Sequence, residues 1–302
     1  MKKTIVVAGA TGNLGERIVH ALLERGAEVR AIVRESSDMG KVNRLEQLGA
    51  QVFKVNMMDV EAVSKVCLGA DCVVSALAGL REVIIDTQKI LLDAAIAAGV
   101  PRFIPSDYSL DFTEFSDGEN RNLDLRREFH QYLDKTPISA TTIFNGAFMD
   151  MLTNEMPLIL FKQKLVLYWG NADHCMGFTT VADTAIFTAN TALDSSTPRY
   201  LRIAGEQISP RAIKTVVMDV TGQNFRLFRP GGSGLLGIII KIARTFAPAE
   251  KELYPAWQGM QYMHNMLDGR PAMKQLDNNR YPDMRWTSAK DLLTKYLAQV
   301  EK

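Results

Sequence analysis

Four glycines in the first hundred residues each close a helical pattern and are followed almost at once by a short β-branched run. Glycine is the usual residue for the left-handed cap that turns a chain from a helix back into a sheet. Strands that alternate with helices in this way pair in parallel and form a doubly wound sheet. An α/β fold of the Rossmann type is therefore predicted. The capping glycines are Gly26, Gly49, Gly69 and Gly99, and the predicted strands are Thr4–Ala8, Glu28–Val33, Gln51–Val55 and Cys72–Ala76.

Beyond this region the alternation continues less regularly. A fifth strand is predicted at Arg102–Ile104 and a sixth at Ala140–Phe144, after a helix over about 120–133. A further strand at Gly177–Val181, leading into a helix capped by Asp183, is expected to return to the same sheet. We predict a nucleotide-binding domain over 1–150 with a return over about 175–203. A smaller α+β substrate lobe is predicted over 204–302 and about 151–174.

The glycine turn after the first predicted strand has the spacing GxxGxxG and enters a predicted helix over Glu16–Arg25. Glycines in this context allow a tight turn, a close approach of the backbone to a pyrophosphate, and close packing of helix on strand. A P-loop is excluded because no Gly-Lys-Ser/Thr follows. The alternative is a glycine-rich turn that binds no ligand. The predicted dinucleotide contacts are Gly9, Thr11, Gly12, Asn13, Leu14 and Gly15.

The residue that ends the second strand indicates which dinucleotide binds. A site that prefers NAD normally offers an acid to the ribose 2′-hydroxyl here, but this chain has Arg34, whose planar guanidinium suits the 2′-phosphate of NADP(H). Lys41 or Arg44 would add charge one turn later. The alternative is a solvated Arg34 that pairs with Glu35. Further nucleotide contacts are predicted after the third and fourth strands, at Asn56, Met57, Ala76 and Leu77, with Asp59 as the cap of the following helix.

Composition excludes several classes of protein. The 302 residues are 47% hydrophobic, so the chain can bury a large core, and 35 Lys and Arg balance 34 Asp and Glu. No direct binding to nucleic acid and no membrane association are expected from this overall balance, which does not exclude a local basic patch. Three cysteines without CxxC spacing suit a reducing compartment, and a cytoplasmic location is predicted. The scattered histidines have no metal-ligand spacing, so no metal site is predicted.

Taken together, these motifs resemble atypical short-chain dehydrogenases of the NmrA-like and isoflavone-reductase-like group. The resemblance covers roughly the first 190 residues. The segments that carry it are Gly9–Gly15, Arg34, Arg102–Tyr108, Asn145–Phe148 and Phe178–Ala185. It implies NADP(H) as the cofactor and a small-molecule substrate, and it adds Pro105, Ser106 and Asn145 to the predicted cofactor site.

Catalytic residues of the group are only partly matched. Isoflavone-reductase-like enzymes carry a lysine near the start of the helix before the sixth strand, and Arg126 or Arg127 occupies that position here. An arginine stabilises an oxyanion but is a poor proton donor, because it keeps its charge. The Tyr-x-x-x-Lys pair of ordinary short-chain dehydrogenases is absent, since Tyr132 and Lys135 have the wrong spacing and are interpreted as an ordinary helix end.

Ligands bind at the carboxyl ends of strands in such a sheet, which makes the residues after the fifth strand catalytic candidates. The predicted catalytic set is Ser106, Tyr108 and Arg127. Ser106 would orient a substrate carbonyl, and Tyr108 would donate a proton if its pKa were lowered by the cofactor or by Arg127. Asp107 either joins this set or only caps the next turn.

Two functions are consistent with the sequence. The first is an NADPH-dependent reductase of a small carbonyl or conjugated, possibly aromatic, compound. The second is a non-catalytic regulator that senses NADP(H) and acts through a protein partner, as the missing lysine and Tyr-x-x-x-Lys pair suggest. A nucleotide-sugar epimerase or dehydratase ranks last, because it would need that pair. Met260, Met263 and Met266 are spaced as in a core-packing helix, with a pliable substrate pocket as the alternative.

Overall fold

A six-stranded parallel sheet forms the centre of the protein. The computed structural model describes residues 2–153, 158–267 and 275–300; residues 154–157, 268–274 and 301–302 of the predicted substrate lobe lie outside it. The strands of the sheet are β1 (Thr4–Ala8), β2 (Glu28–Val33), β3 (Gln51–Lys54), β4 (Cys72–Ser75), β5 (Arg102–Ile104) and β6 (Ser139–Ala140). Their order is β3-β2-β1-β4-β5-β6, and every pair is parallel. This is the doubly wound Rossmann order, so the predicted fold class is confirmed.

Helices connect these strands as the glycine pattern predicts. They are α1 (Asn13–Glu24), α2 (Met39–Gln47), α3 (Val60–Cys67), α4 (Gln88–Ala97) and α5 (Arg121–Leu133), and a π-helix (Glu82–Thr87) precedes α4. The φ angles of Gly26, Gly49, Gly69 and Gly99 are +76°, +99°, +71° and +70°, which confirms four left-handed caps. Asp59 caps α3 as predicted, because its side chain accepts a hydrogen bond from the backbone N–H of Ala62.

The rest of the described chain contains shorter strands and five more helices. The strands are β7 (Thr142–Phe144), β8 (Ala147–Phe148), β9 (Ile159–Leu160), β10 (Leu165–Leu167), β11 (Met176–Thr179), β12 (Tyr200–Arg202), β13 (Glu206–Ile208) and β14 (Arg226–Phe228). The helices are α6 (Val181–Leu193), α7 (Pro210–Thr221), α8 (Ser233–Phe246), α9 (Ala256–Leu267) and α10 (Ala289–Val300). Among the described helices, none is both long and apolar enough to cross a membrane.

The sixth strand differs from its prediction. Ala140–Phe144 was expected to be one strand of the main sheet, but only Ser139–Ala140 pairs with β5. The backbone N–H of Thr141 still donates to Phe103, whereas that of Thr142 donates to the carbonyl of Arg199. The chain therefore exchanges its pairing partner at Thr142, and β7 joins β12 in a separate two-stranded sheet.

The strand predicted at Gly177–Val181 does not return to the main sheet. β11 pairs with β13 and β8 in a three-stranded sheet, where Phe178 lies opposite Glu206 and Ala147. The helix that follows does return, because α6 packs against α1. It begins at Val181, so Asp183 lies inside its first turn and does not occupy the predicted cap position.

Backbone contacts divide the chain into two compact units. The first comprises residues 1–108, 125–144 and 181–201, and the second comprises 109–124, 145–180 and 202–302. These limits differ from the predicted domains mainly in giving 109–124 to the second unit. Within the second unit, β9, β10 and β14 form another small sheet. Met263 and Met266 of α9, which belongs to the same unit, are buried, as their spacing predicts.

Candidate functional site

The glycine turn between β1 and α1 is shaped by close packing of backbone on backbone. Gly9 has a φ of +78°, and a Cβ on it would lie 2.5 Å from the carbonyl oxygen of Ala76. A Cβ on Gly15 would lie 2.2 Å from the carbonyl oxygen of Gly9. A side chain cannot be accommodated at either separation. Glycine at position 9 therefore allows the turn to pack against the end of β4, and glycine at position 15 allows α1 to pack against the turn. Gly12 is instead exposed.

The N-terminus of α1 presents unpaired donors at this turn. Gly12 is the N-cap residue and has no side chain with which to accept a hydrogen bond from the first turn. The helix begins with the bond from Glu16 N–H to the Gly12 carbonyl, so the N–H groups of Asn13, Leu14 and Gly15 have no acceptor within the helix. These donors and the helix dipole make the turn suitable for a phosphate group.

A cleft of about 760 Å³ opens beside the turn, within the first unit. Nine of the predicted cofactor residues line it: Gly9, Thr11, Gly12, Arg34, Lys41, Asn56, Met57, Ala76 and Leu77. Asn13, Leu14, Gly15, Pro105, Ser106 and Asn145 do not line it. Val83 and Thr87, which the sequence motifs did not predict, also line the cleft and come from one face of the π-helix. No sequence motif identifies that helix. The signal that could have found these two residues is their spacing of four positions soon after β4, whose end is followed by small residues.

Two exposed cations lie at the rim of the cleft. The side chains of Arg34 and Lys41 make no ion pair with any residue that the structure describes, so the predicted alternative of an Arg34–Glu35 pair is not formed. Arg44, the other candidate, lies outside the cleft lining and contacts the carboxylate of Glu16 at 3.2 Å. Arg34 and Lys41 therefore remain available for an anionic group of a ligand, and Arg44 does not.

One wall of the cleft is formed by residues 76–87, which follow β4, and this wall is held by buried hydrogen bonds. The hydroxyl of Ser106 donates to the carbonyl of Leu77 at 2.6 Å. The buried amide of Gln88 accepts from the N–H of Ser106 at 2.9 Å and donates to the carbonyl of Ile84 at 3.2 Å. Ser106 and Gln88 thus link the end of β5 to both segments of the wall. The predicted role of Ser106, orienting a substrate carbonyl, does not fit a hydroxyl that is already bonded to the backbone.

Tyr108, the other predicted catalytic hydroxyl, is a buried residue of the first unit. Burial raises the pKa of its hydroxyl, with the charge of Asp107 acting in the same direction. Its role as a proton donor was predicted for a pKa lowered by a bound cofactor or by Arg127, and that role stays a prediction.

A buried polar cluster surrounds Asp107. Its carboxylate lies 2.6 Å from Nε2 of His130 and accepts a hydrogen bond from the hydroxyl of Thr142 at 2.9 Å. Arg199 contacts Nδ1 of His130 at 2.9 Å, and because a guanidinium can only donate, Nδ1 is the acceptor and Nε2 carries the proton. Asp107 therefore does more than cap a turn: it fastens α5 and β7 to the end of β5.

The ionised form of Asp107 is stabilised within this cluster. Burial is the largest single effect and favours the neutral acid, but His130, Arg126 and Thr142 together outweigh it and lower the pKa of the carboxyl. Arg126 of α5, which is partly exposed, lies close enough for its charge to act on Asp107. The neighbouring Arg127, the residue predicted to be catalytic, is partly exposed, and its role stays a prediction.

Asn145, the remaining predicted cofactor residue, belongs to the second unit. It is buried, its N–H donates to the carbonyl of Ser109 at 3.1 Å, and its own carbonyl accepts from the hydroxyl of Thr179 at 2.7 Å. These bonds join Asn145 to Ser109 and to β11 within that unit.

Comparisons with known proteins agree with the fold. The chain is 29% identical over 211 residues to pinoresinol reductase 1 of Arabidopsis thaliana, a match that covers 65% of this chain and 66% of that protein. It is 27% identical over 310 residues to the bifunctional pinoresinol-lariciresinol reductase 1 of Linum usitatissimum, covering 97% of this chain and 98% of that protein.

A solved structure and a family model extend this result. The structure of AtPrR2 with NADP+ and (+)pinoresinol superimposes with a TM-score of 0.82 at 22% identity, over 98% of this chain and 99% of that chain. The model of the NmrA-like family matches residues 1–260. The protein therefore belongs to the NmrA-like family.

Proposed function

We propose that this protein is an NADPH-dependent reductase of a small carbonyl or conjugated compound, with aromatic compounds as the first substrates to test. The observation that carries the proposal is the free guanidinium of Arg34 at the rim of the cleft, at the end of β2 and close to the glycine turn in the fold. The relatives named above, which are reductases of pinoresinol and lariciresinol, support the reaction class. The NADP+ bound by a structural neighbour supports the cofactor.

In this proposal each segment of the cleft binds one part of the dinucleotide. The free N–H groups at the start of α1 bind the pyrophosphate, as such helix termini do. Arg34 and Lys41 bind the 2′-phosphate, while Asn56 and Met57 lie against the adenine. When bound there, NADPH would supply the hydride for the reduction of a carbon of the substrate. We further propose a cytoplasmic location, since Cys67, Cys72 and Cys175 are all free thiols.

A titration of the purified protein with NADPH, NADP+, NADH and NAD+ tests the cofactor assignment. Arg34→Ala should weaken NADPH binding by about 10- to 100-fold, because a hydrogen bond to a charged group contributes about 1.5–3 kcal/mol. NADH binding should change little. Arg44→Ala is the matched control, since Arg44 pairs with Glu16 outside the cleft lining, and it should leave both affinities nearly unchanged. Equal losses for NADPH and NADH in Arg34→Ala would contradict the assignment.

The regulatory function remains the second candidate because Ser106 and Tyr108, the predicted catalytic hydroxyls, are both buried and Ser106 is bonded to the backbone. Oxidation of NADPH in the presence of pinoresinol and related aromatic compounds distinguishes the two functions. Turnover that requires Arg34 supports the reductase. Tight, Arg34-dependent binding of NADPH without turnover of any compound tested supports a sensor.

A further inference from the structure

The helix α8 presents an apolar stripe to solvent. Leu235, Ile238, Ile242 and Phe246 are 45%, 56%, 53% and 83% exposed. Their spacing of three and four residues places them along one side of the helix. Leu236 and Ile240, on the other side, are buried in the second unit. The helix is therefore apolar on two sides, and only the side with Leu236 and Ile240 is buried in the second unit.

Packing on α9 keeps the stripe directed outward. Gly237 faces that helix, where a Cβ would lie 3.7 Å from Nε2 of His264. At the far end of α8, the guanidinium of Arg244 lies 5.4 Å from the ring centre of Trp257. Turning the stripe inward would break these contacts and expose Leu236 and Ile240, so the exposure of the stripe is a property of the docked helix.

Exposed apolar side chains are concentrated in this region. Single exposed residues of this kind are ordinary, but a contiguous patch marks an interaction surface. Phe228 and Tyr254, 48% and 64% exposed, lie near the two ends of α8 in the sequence. The other large apolar residues that are exposed in the described chain are scattered: Met39, Met58, Val60, Leu68 and Val300.

The sequence around the stripe carries an excess of positive charge. Residues 224–249 contain the cations Arg226, Arg229, Lys241 and Arg244 and no Asp or Glu, and the next charged residues are Glu250, Lys251 and Glu252, in a chain whose net charge is only +1. All four cations are exposed. A second copy of the chain docked on this face would bring equal charges together without an acidic residue of the segment to pair with them, which disfavours self-association. The occupant that complements the surface is anionic.

We propose that this surface, the α8 stripe with the cations Arg226, Arg229 and Lys241, binds the face of an anionic phospholipid bilayer without crossing it. An amphipathic helix of this kind lies in the interface, with its apolar side chains among the acyl chains and its Lys and Arg side chains at the headgroups. The stripe ends in Phe246, the most exposed of the large apolar residues in the described chain. A bilayer accepts apolar side chains that project from a helix directly, whereas an acidic protein would need a groove that matches them.

Co-sedimentation of the full-length protein with vesicles tests this proposal. We expect binding to phosphatidylcholine vesicles that contain phosphatidylglycerol, little binding to phosphatidylcholine alone, and loss of binding at high salt. Ile238→Gln should reduce binding about tenfold, since it removes one inserted apolar side chain. Lys241→Gln should reduce it about fivefold, from the contribution of one cation near an anionic surface. Leu68→Gln, which changes a side chain of equal exposure (56%) elsewhere, is the matched control and should bind as the parent does.

Circular dichroism and thermal unfolding establish that the variants fold, which is expected because the substituted side chains are exposed. The proposal is overturned if vesicles of neither composition bind the protein, or if both bind it equally. It is also overturned if sedimentation shows a dimer that Ile238→Gln dissociates while vesicle binding is absent, because the stripe then serves self-association.

Discussion

At the scale of single residues, Gly9 and Gly26 show that a glycine can be required at a position for two different reasons. Gly9 and Gly26 have almost the same positive φ, +78° and +76°. A Cβ on Gly26 would meet nothing within 4 Å, whereas one on Gly9 would overlap the carbonyl of Ala76. Gly26 is therefore required only by its backbone conformation. Gly9 is required by conformation and by the close approach of two backbone segments.

This difference predicts a matched pair of variants. Gly26→Ala should lower the free energy of unfolding by about 1–2 kcal/mol, the cost of a left-handed conformation for a residue with a Cβ. Gly9→Ala should cost clearly more, because the carbonyl that it meets is backbone at the end of β4 and cannot rotate away. Urea unfolding of the two variants measures the difference. Equal losses would mean that the turn relaxes freely and that its packing on β4 is not essential.

At the scale of elements, the wall of the cleft depends on residues that do not line it. Gln88, at the start of α4, bonds to both Ser106 and Ile84, and Ser106 bonds to Leu77. The π-helix just before Gln88 supplies Val83 and Thr87 to the lining. Gln88 is thus a positioning residue for the wall.

Gln88→Leu should lower the free energy of unfolding by about 1–3 kcal/mol, because it leaves the buried N–H of Ser106 without its partner. It should also weaken NADPH binding, since the wall would lose its anchor. Gln258→Leu is the control: this amide is equally buried, but it donates to Asn120 within the second unit. Its loss should destabilise the protein without changing NADPH affinity. Calorimetry and urea unfolding give both quantities, and equal effects of the two variants on affinity would argue against the anchor.

At the scale of the whole molecule, the nucleotide cleft is lined by the first unit alone, and the α8 stripe belongs to the second. Hydrogen exchange measured with and without NADPH should therefore show protection chiefly in the segments 9–15 and 76–87. The amides of α8 should change little, which makes that helix an internal control. Protection centred on the second unit would place the nucleotide elsewhere.

The sequence by itself determined the features that depend on local conformation. Periodic apolar residues and the four capping glycines were sufficient for the βα alternation, because a left-handed cap is a property of one residue and its neighbours. The glycine turn and Arg34 were likewise identified from their positions after β1 and β2. The similarity of these segments to a known family agreed with the match of the family model.

Only the tertiary structure decided the features that depend on distant neighbours. The change of pairing partner at Thr142, and the place of β11 in a separate sheet, involve strands of two to four residues, which are too short for an alternating pattern to assign. Burial of Tyr108, and the bond from Ser106 to Leu77, follow from packing between segments far apart in the chain. The α8 stripe appears only once the docking of the helix shows which of its apolar sides is covered. Burial is a relation between segments, so a local pattern proposes which side chains are candidates, and the fold decides which of them face solvent, a ligand or the core.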